Sequence, residues 1–369
     1  MLDAWFLENK RSFPWREEAT PYRVWISEVM LQQTRAQVVI SYFERWMEQF
    51  PTIQALAAAP LERVIKAWEG LGYYSRARNL HAGARHIVEK HGGELPSTKE
   101  ALLAIPGLGP YTVAAILSFG FKQRAAAVDG NVLRVISRYA WIDEDIGKSS
   151  GKRRVEAFAN QFLSPDRPWV TAEALIELGA TICTPIPRCG ECPLQESCLA
   201  HLKGNPTALP IKAPPPKVEK IVRGVAIVEA FGRILVRKNP SHQLMGDLWE
   251  FPYFEGEQSF LGVQKKLRQK LGLEVEVLRK MEPVAHSFTR FSARLFPFYC
   301  KANEWKEVDG YSWILRKELN QLSFSSGHRK IREKISGIRK YLALKRVLRR
   351  KDETQAIFAV SLLGILFTD

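Results

Sequence analysis

Two acidic residues and a run of cysteines are the side chains in this sequence whose types and spacing could do chemistry. Glu28 lies in SEVMLQQTRAQV, residues 27–38, and its neighbours at helical spacing are Val24, Trp25 and Leu31. An amphipathic helix keeps its glutamates on the wet face. Glu28 is therefore either a surface residue at the edge of an apolar stripe or an acid whose proton is meant to be held. Asp129 precedes the apolar-periodic run NVLRVISR; as a helix N-cap it would contribute about 1 kcal/mol, a task Asn131 could perform equally well. Read together, the two carboxylates are what glycosidic cleavage requires: one protonates the leaving group while the other faces an oxocarbenium-like centre. Desolvation by Val24, Trp25 and Leu31 would raise the pKa of Glu28, the direction a general acid needs.

Four of the five cysteines, Cys183, Cys189, Cys192 and Cys198, fall in CTPIPRCGECPLQESC, while Cys300 stands alone in a strand-like run and reads as a buried thiol. Four thiols in so short a segment imply a metal centre rather than disulfides. Structural zinc sites usually pair two short hooks of cysteines, and a C-x5-C-x2-C-x5-C array with one hook and two wide arms suits a [4Fe-4S] cluster better. In AIPGLGPYTVAAI, residues 104–116, Gly107 and Gly109 permit a tight turn and Pro110 suits the first position of the next helix. That helix start leaves backbone amides open to an anion, so the segment reads as a helix-hairpin-helix whose ligand is one DNA phosphate.

The elements that must position these groups divide into two domains, as a chain of 369 residues suggests. Residues 1–202 carry apolar residues at spacings of three and four, with Gly and Pro at the turns, and are expected to be nearly all helix. The prolines of 203–220, KGNPTALPIKAPPPKVEK, exclude helix and predict an extended linker. Residues 221–330 begin with the β-branched run VRGVAIVEAFGRILVRK, predicting strands around an FG turn in a smaller α+β domain. Residues 331–369 form a basic and then apolar tail with no assigned role; Ile331, Ile335, Ile338 and Leu342 fall on one helical face, and AIFAVSLLGILF is too short to span a bilayer.

Hydrophobic content of 46% with 25% charged residues describes a soluble globular chain, with cytoplasmic location as the default because MLDAWFLENK resembles no leader. The net charge of +15 points to a polyanionic partner. Its distribution is uneven: residues 1–210 sum to only +2, whereas 327–351 sum to +10. A nucleic acid held by the first domain must therefore be gripped by backbone amides and a few placed side chains.

In order along the chain, EVMLQQT, GLGYYSRARNL, IPGLGPYT, VDGNVLRV and the four-cysteine array resemble the MutY-type adenine-DNA glycosylases of the endonuclease III superfamily. The second domain resembles that family's Nudix-like C-terminal domain, so the likeness covers residues 1 to about 330. It implies a helical helix-hairpin-helix glycosylase domain with an iron-sulfur loop, followed by a smaller α+β Nudix-like domain. It also implies base excision from double-stranded DNA carrying adenine opposite 8-oxoguanine or guanine, by a bacterial monomer associated with the nucleoid when bound. Glu28 matches the family's general acid and Asp129 its second carboxylate, with Tyr111 and Asn131 assisting. Glu173 aligns with the residue that reads the adenine amino group, Gln33 and Tyr73 with residues that wedge into the duplex, and Thr34 lies beside them. The [4Fe-4S] cluster falls to the four cysteines.

The sequence departs from the family at three places. The first cysteine interval holds five residues instead of six. The Phe-Ser-His motif that inspects the opposite base appears as Phe288, Thr289 and Arg290. The basic and apolar tail has no counterpart. GVQKKLRQKLGLEV also lacks the paired glutamates of a working Nudix box, so the second domain is expected to bind and not to hydrolyse nucleotides. Three rival readings remain: an endonuclease III-like lyase, which needs a Lys nucleophile where Tyr111 stands; a thymine-mismatch glycosylase; and a DNA-binding relative without turnover.

Overall fold

In the computed structural model, residues 1–214, 218–241, 243, 245–288 and 291–335 are described. The chain divides into two compact units, Met1–Pro216 and Lys217–Asp369.

The first unit is helical. Its helices are α1 (Leu2–Asn9), α2 (Pro14–Glu17), α3 (Pro21–Leu31), α4 (Ala36–Gln49), α5 (Ile53–Ala58), α6 (Leu61–Ala67), α7 (Ser75–His91), α8 (Lys99–Leu103), α9 (Pro110–Ala115), α10 (Gly130–Tyr139), α11 (Ser149–Phe162), α12 (Pro168–Thr181) and α13 (Leu199–Leu202). The starts follow local chemistry: Pro occupies the first turn of α2, α3, α9 and α12, and Thr20 caps α3 by accepting from the Arg23 amide. A short π-helical segment, Ile116–Gly120, extends α9. One core gathers α1, α10, α11 and α12 around Val135, Ile136, Val155, Leu175 and Leu178, all buried. Trp25, Trp46 and Trp68 are fully buried elsewhere in the unit.

The stretch expected to be a linker is partly docked. Pro206–Ala208 forms a 3-10 turn with Pro in its first position. The Arg138 guanidinium then holds the Leu209 carbonyl at 2.9 Å, Leu209 is 2% exposed, and the Ile146 amide donates to Ile211 O. Proline excludes the interior of a helix but suits its first turn, so these residues belong to the first unit.

The second unit is built on strands β1 (Glu219–Ala230), β2 (Arg233–Lys238), β3 (Trp249–Glu250), β4 (Tyr253–Glu255), β5 (Val275–Lys280), β6 (Val284–Phe288), β7 (Phe291–Ala302) and β8 (Ser312–Leu315), with helices α14 (Phe260–Leu271) and α15 (Ser326–Ile335). The main path runs β3-β2-β1-β7-β5, with β1 and β7 parallel and in register from Glu219 opposite Phe291 to Glu229 opposite Lys301. The FG turn is as read: Phe231 and Gly232 both take positive φ between β1 and β2. Successive β1 residues serve opposite faces. Val225 and Ile227 join the core that includes Ile331 and Ile335 of α15, and Ala226 and Val228 join the one that includes Val263 and Leu267 of α14. A strand buried on both faces reads as a continuous apolar run, as AIV does here.

This corrects the boundary placed at residue 330. Residues 326–335 form a helix whose Ile331 and Ile335 are core residues of the second unit, so the tail does not begin at 331. Ile338, Leu342 and the apolar run beyond lie outside the described residues. Among the described residues no helix is long and apolar enough to cross a membrane.

Candidate active site

Helix α3 carries Glu28 inward. Seven consecutive residues, Val24 to Met30, are buried, and Glu28 is 8% exposed among them. The Tyr111 hydroxyl, near the start of α9 and just past the glycine turn, donates to Glu28 Oε2 at 2.6 Å. Burial pushes the Glu28 carboxyl up to about 7; the Tyr111 hydrogen bond opposes this, and the charges of Asp129 and Glu173 add to it. Tyr111 itself is held well above the usual phenol range, first by burial and then by the neighbouring carboxylates.

Asp129 caps α10 and is saturated with donors. Its Oδ1 accepts from the amides of Asn131 at 2.9 Å and Val132 at 2.8 Å, and its Oδ2 accepts from Asn131 Nδ2 at 2.7 Å. Burial raises its pKa, while these hydrogen bonds and the Arg134 cation pull the other way. All three bonds favour the ionised form, because N–H groups can only donate to it. Burial thus raises both carboxyls, Glu28 to about 7, but Asp129 carries three donor hydrogen bonds that favour its anion where Glu28 carries one.

Asn131 is fixed from behind. Arg134 donates through Nη2 to Asn131 Oδ1 at 2.9 Å and Gly179 O at 2.7 Å, and through Nε to Cys183 O at 2.7 Å. A side chain at Gly179 would not fit: its Cβ would lie 2.6 Å from Asn131 Cβ. Gly107 likewise has φ of +83° with Asn79 Cβ 2.4 Å from where its own Cβ would be, so the hairpin turn admits only glycine there. Gly109 is the N-cap residue of α9, and nothing lies within 4 Å of a Cβ placed on it.

Glu28, Tyr111, Asp129, Asn131, Glu173, Gln33, Thr34, Gly107 and Gly109 all line one cleft of about 1870 Å³. Arg35, Lys99, Arg124 and Lys152 also border it. Tyr73 is not among the lining residues; it stands 43% exposed with φ of +49°, and Gln33, also exposed, has φ of +56°.

Sequence reasoning missed the cations behind Glu173. Arg16 Nε lies 3.1 Å from Glu173 Oε2, and Arg16 Nη2 lies 2.9 Å from Oε2 of Glu177, which has no exposed side-chain surface and also takes Arg11 Nε at 2.5 Å. These partners are separated by more than 150 residues and carry no local spacing signal. Burial raises the Glu173 pKa while Arg16 opposes it.

The four cysteines line a second, smaller cavity with Arg138 and His201. Arg138 Nη1 is 3.4 Å from Cys183 Sγ, and its other contacts hold Thr184 O at 2.6 Å and Pro185 O at 3.0 Å. Burial pushes the Cys192 thiol up to about 11. Among the described residues, no three His, Cys, Asp or Glu side chains are set to hold a metal ion. In the second unit, α14 contains no acidic residue, Cys300 is buried in β7 with its thiol pushed up to about 12 by burial, and Phe288 ends β6 opposite Phe291. Thr289 and Arg290 lie outside the described residues.

The sequence patterns of two known families match this chain: the HhH-GPD superfamily base excision DNA repair protein over residues 26–164, and the NUDIX domain over residues 224–334. Its relatives include the adenine DNA glycosylase of Rattus norvegicus, 35% identical over 89% of this chain and 76% of that protein. The adenine DNA glycosylase of Homo sapiens is 34% identical, over 89% and 72%, and that of Schizosaccharomyces pombe 30%, over 93% and 88%. The chain belongs to the adenine DNA glycosylase family. A solved structure of a thermostable thymine-DNA glycosylase superposes with a TM-score of 0.51 at 26% identity, covering 55% of this chain and 94% of that one. The helix-hairpin-helix domain followed by a Nudix-like domain, anticipated from the motifs, is the fold of this adenine DNA glycosylase family member, and an enzyme is the reading its relatives support over a binding protein without turnover.

Proposed function

We propose that this cleft hydrolyses the N-glycosidic bond of adenine mispaired with 8-oxoguanine or guanine in duplex DNA, after the base has been turned out of the stack. The observation that carries this reading is Glu28: a carboxyl buried on a helix, held protonated to about pH 7 and bonded to Tyr111, in the cleft that also receives Asp129. Adenine is a poor leaving group as an anion. Protonation of its imidazole ring by Glu28 lets it depart neutral. General acid catalysis contributes about 10² to 10⁴-fold. The remainder falls to Asp129, whose anionic form stabilises the cationic sugar electrostatically or through a short-lived bond before water attacks.

Glu173 accepts from the adenine amino group, with Arg16 holding its carboxylate in place. Gln33 and Tyr73 offset the few kcal/mol of unstacking that base flipping costs, with Thr34 alongside, and Gly107 and Gly109 offer backbone amides to a phosphate. Tyr111 cannot form a Schiff base, which favours hydrolysis without strand cleavage. Phe288, Thr289 and Arg290 correspond to the family's Phe-Ser-His motif and are assigned the reading of the opposite base. The working form is a monomer of the bacterial cytoplasm that meets its substrate on the nucleoid.

Cys183, Cys189, Cys192 and Cys198 would hold a [4Fe-4S] cluster. The donor set fits: four thiols border one cavity, and four thiolates are the ligand set of such a cluster. Bound, the cluster supplies an iron–thiolate anchor for the loop between Cys183 and Cys198. Arg134 joins that loop to Asn131, so the loop's position bears on the carboxylate that Asn131 dresses.

The test is excision from a duplex with adenine opposite 8-oxoguanine. Free adenine should appear with the abasic strand intact until alkali is added, and Glu28→Gln should abolish turnover while retaining DNA binding. Near-wild-type single-turnover rates in that variant would remove Glu28 from the role.

A further inference from the structure

Gln33 and Tyr73, 40 residues apart in sequence, are among the non-glycine residues of the first unit that stand in the left-handed backbone region, and both side chains are exposed. That conformation costs a non-glycine residue about 1 to 3 kcal/mol and persists only where the surroundings enforce it. One guanidinium meets both segments. Arg76, at the start of α7 and 8% exposed, donates from Nη1 to Val29 O at 2.8 Å, Met30 O at 2.9 Å and Gln32 O at 2.7 Å. From Nη2 it donates to Leu71 O and Gly72 O, both at 3.1 Å, and lies 3.4 Å from Thr34 Oγ1. Its Cζ lies 5.1 Å from the Trp68 ring centroid and 5.7 Å from that of Tyr73. The carbonyls of Gln32 and Gly72 immediately precede Gln33 and Tyr73.

We propose that Arg76 is a positioning residue that locks Gln33 and Tyr73 into one rigid two-pronged wedge, by gathering onto a single cation the carbonyl preceding each left-handed residue. The inference rests on the reading of Gln33 and Tyr73 as the residues that enter the duplex. Arginine suits the task because a planar fork of five donors can span two chain segments at once, whereas a lysine nitrogen is a point that can satisfy only one. The end of α3 turns sharply after Gln32, and the Leu71–Tyr73 turn stands beside it. Without a common tie the two prongs would relax separately, and the cost of parting the base pair would no longer be met by a preformed surface. Burial lowers the Arg76 pKa to about 10, so the tie stays charged at neutral pH.

The test separates opening of the pair from bond cleavage. Single-turnover excision is measured for wild type and Arg76→Lys on adenine opposite 8-oxoguanine, where a pair must be opened, and opposite a tetrahydrofuran abasic analogue, where none exists. The rate on the paired duplex should fall by roughly tenfold to a hundredfold, the scale of an ångström's misplacement, while the rate on the abasic duplex stays near wild type. Equal losses on both duplexes, or no loss on either, overturn the proposal. Gln33→Ala combined with Tyr73→Ala is measured in parallel. If that variant shows the selective loss and Arg76→Lys does not, the Arg76 proposal alone fails; if it shows none, the wedge reading fails and takes the proposal with it. Should Arg76→Lys not fold, Arg76→Gln, whose neutral amide can still donate but cannot span both segments, decides by the same comparison.

Discussion

Removing the Tyr111 hydroxyl should move the alkaline limb of the reaction upward in pH, although it deletes a contact to Glu28, the acid proposed above. With the Glu28 carboxyl at about 7, half the molecules hold the proton at pH 7, and each further pH unit cuts the competent fraction about tenfold. The Tyr111 hydrogen bond at 2.6 Å favours the carboxylate over the acid. A hydrogen bond to a charged group is worth about 1.5–3 kcal/mol, which at 1.36 kcal/mol per unit corresponds to about one to two pKa units. Tyr111→Phe leaves the burial in place and removes only this opposing contact, so the limb should shift from about pH 7 toward about pH 8 to 9. The plateau rate should fall, because the carboxyl loses its positioning partner. Single-turnover excision from an adenine:8-oxoguanine duplex, followed from pH 6 to about 9.5 for both proteins, reads both quantities. A limb that stays in place or moves down would refute the assignment of that limb to a desolvated Glu28 bonded by Tyr111.

Further outcomes follow from the same groups. The folded pKa of Glu28 lies above its unfolded value of 4.5, so its contribution favours folding below about pH 4.5 and is lost as pH rises to 7, amounting to about 3 kcal/mol; Glu28→Gln should therefore melt above wild type at pH 8 and lose that advantage at pH 5. Tyr111→Lys should introduce strand cleavage without alkali, trapped as a borohydride-stable adduct, and its absence would show that position 111 cannot reach the sugar. Purified protein should carry four irons per chain, and Cys198→Ser should weaken folding or DNA affinity more than the single-turnover rate; stoichiometric zinc without iron in anaerobically prepared protein would overturn the cluster. Arg290 is a donor-only cation and cannot accept the ring hydrogen that distinguishes 8-oxoguanine, so Thr289→Ser with Arg290→His should raise the ratio of rates opposite 8-oxoguanine and guanine; an unchanged ratio would make the substitution silent.

The parts of this fold that were legible in the sequence are those whose causes lie within a few residues. Pro110 starts α9 after its glycine turn, Asp129 caps α10, and the FG turn joins β1 to β2; each is set by residues adjacent in the chain. The stripe of Val24, Trp25 and Leu31 was enough to place Glu28 against the dry face. What stayed hidden was whatever one element does to another. Arg16 reaches Glu177 across 161 residues, and nothing in PWREE marks which of its charges will be buried. Proline content argued for a free linker, yet Arg138 takes the Leu209 carbonyl from 71 residues away. Basic composition argued for a tail beginning at 331, yet Ile331 and Ile335 close a core.

The supports behind the site residues stayed hidden for one further reason. Arg76, Arg134 and Arg138 act mainly on backbone carbonyls, and a carbonyl belongs to every residue, so their partners leave no signature of residue type. Periodicity shows apolar faces and spacing shows metal hooks, but neither shows a guanidinium that collects oxygens from two chain segments. In this chain three such guanidinium groups stand behind the turn carrying Gln33, the amide of Asn131 and the loop of Cys183 respectively. The side chains with recognisable chemistry are therefore supported from behind by residues whose own types would have been read as surface charge, which is why the reacting groups were found before the groups that hold them.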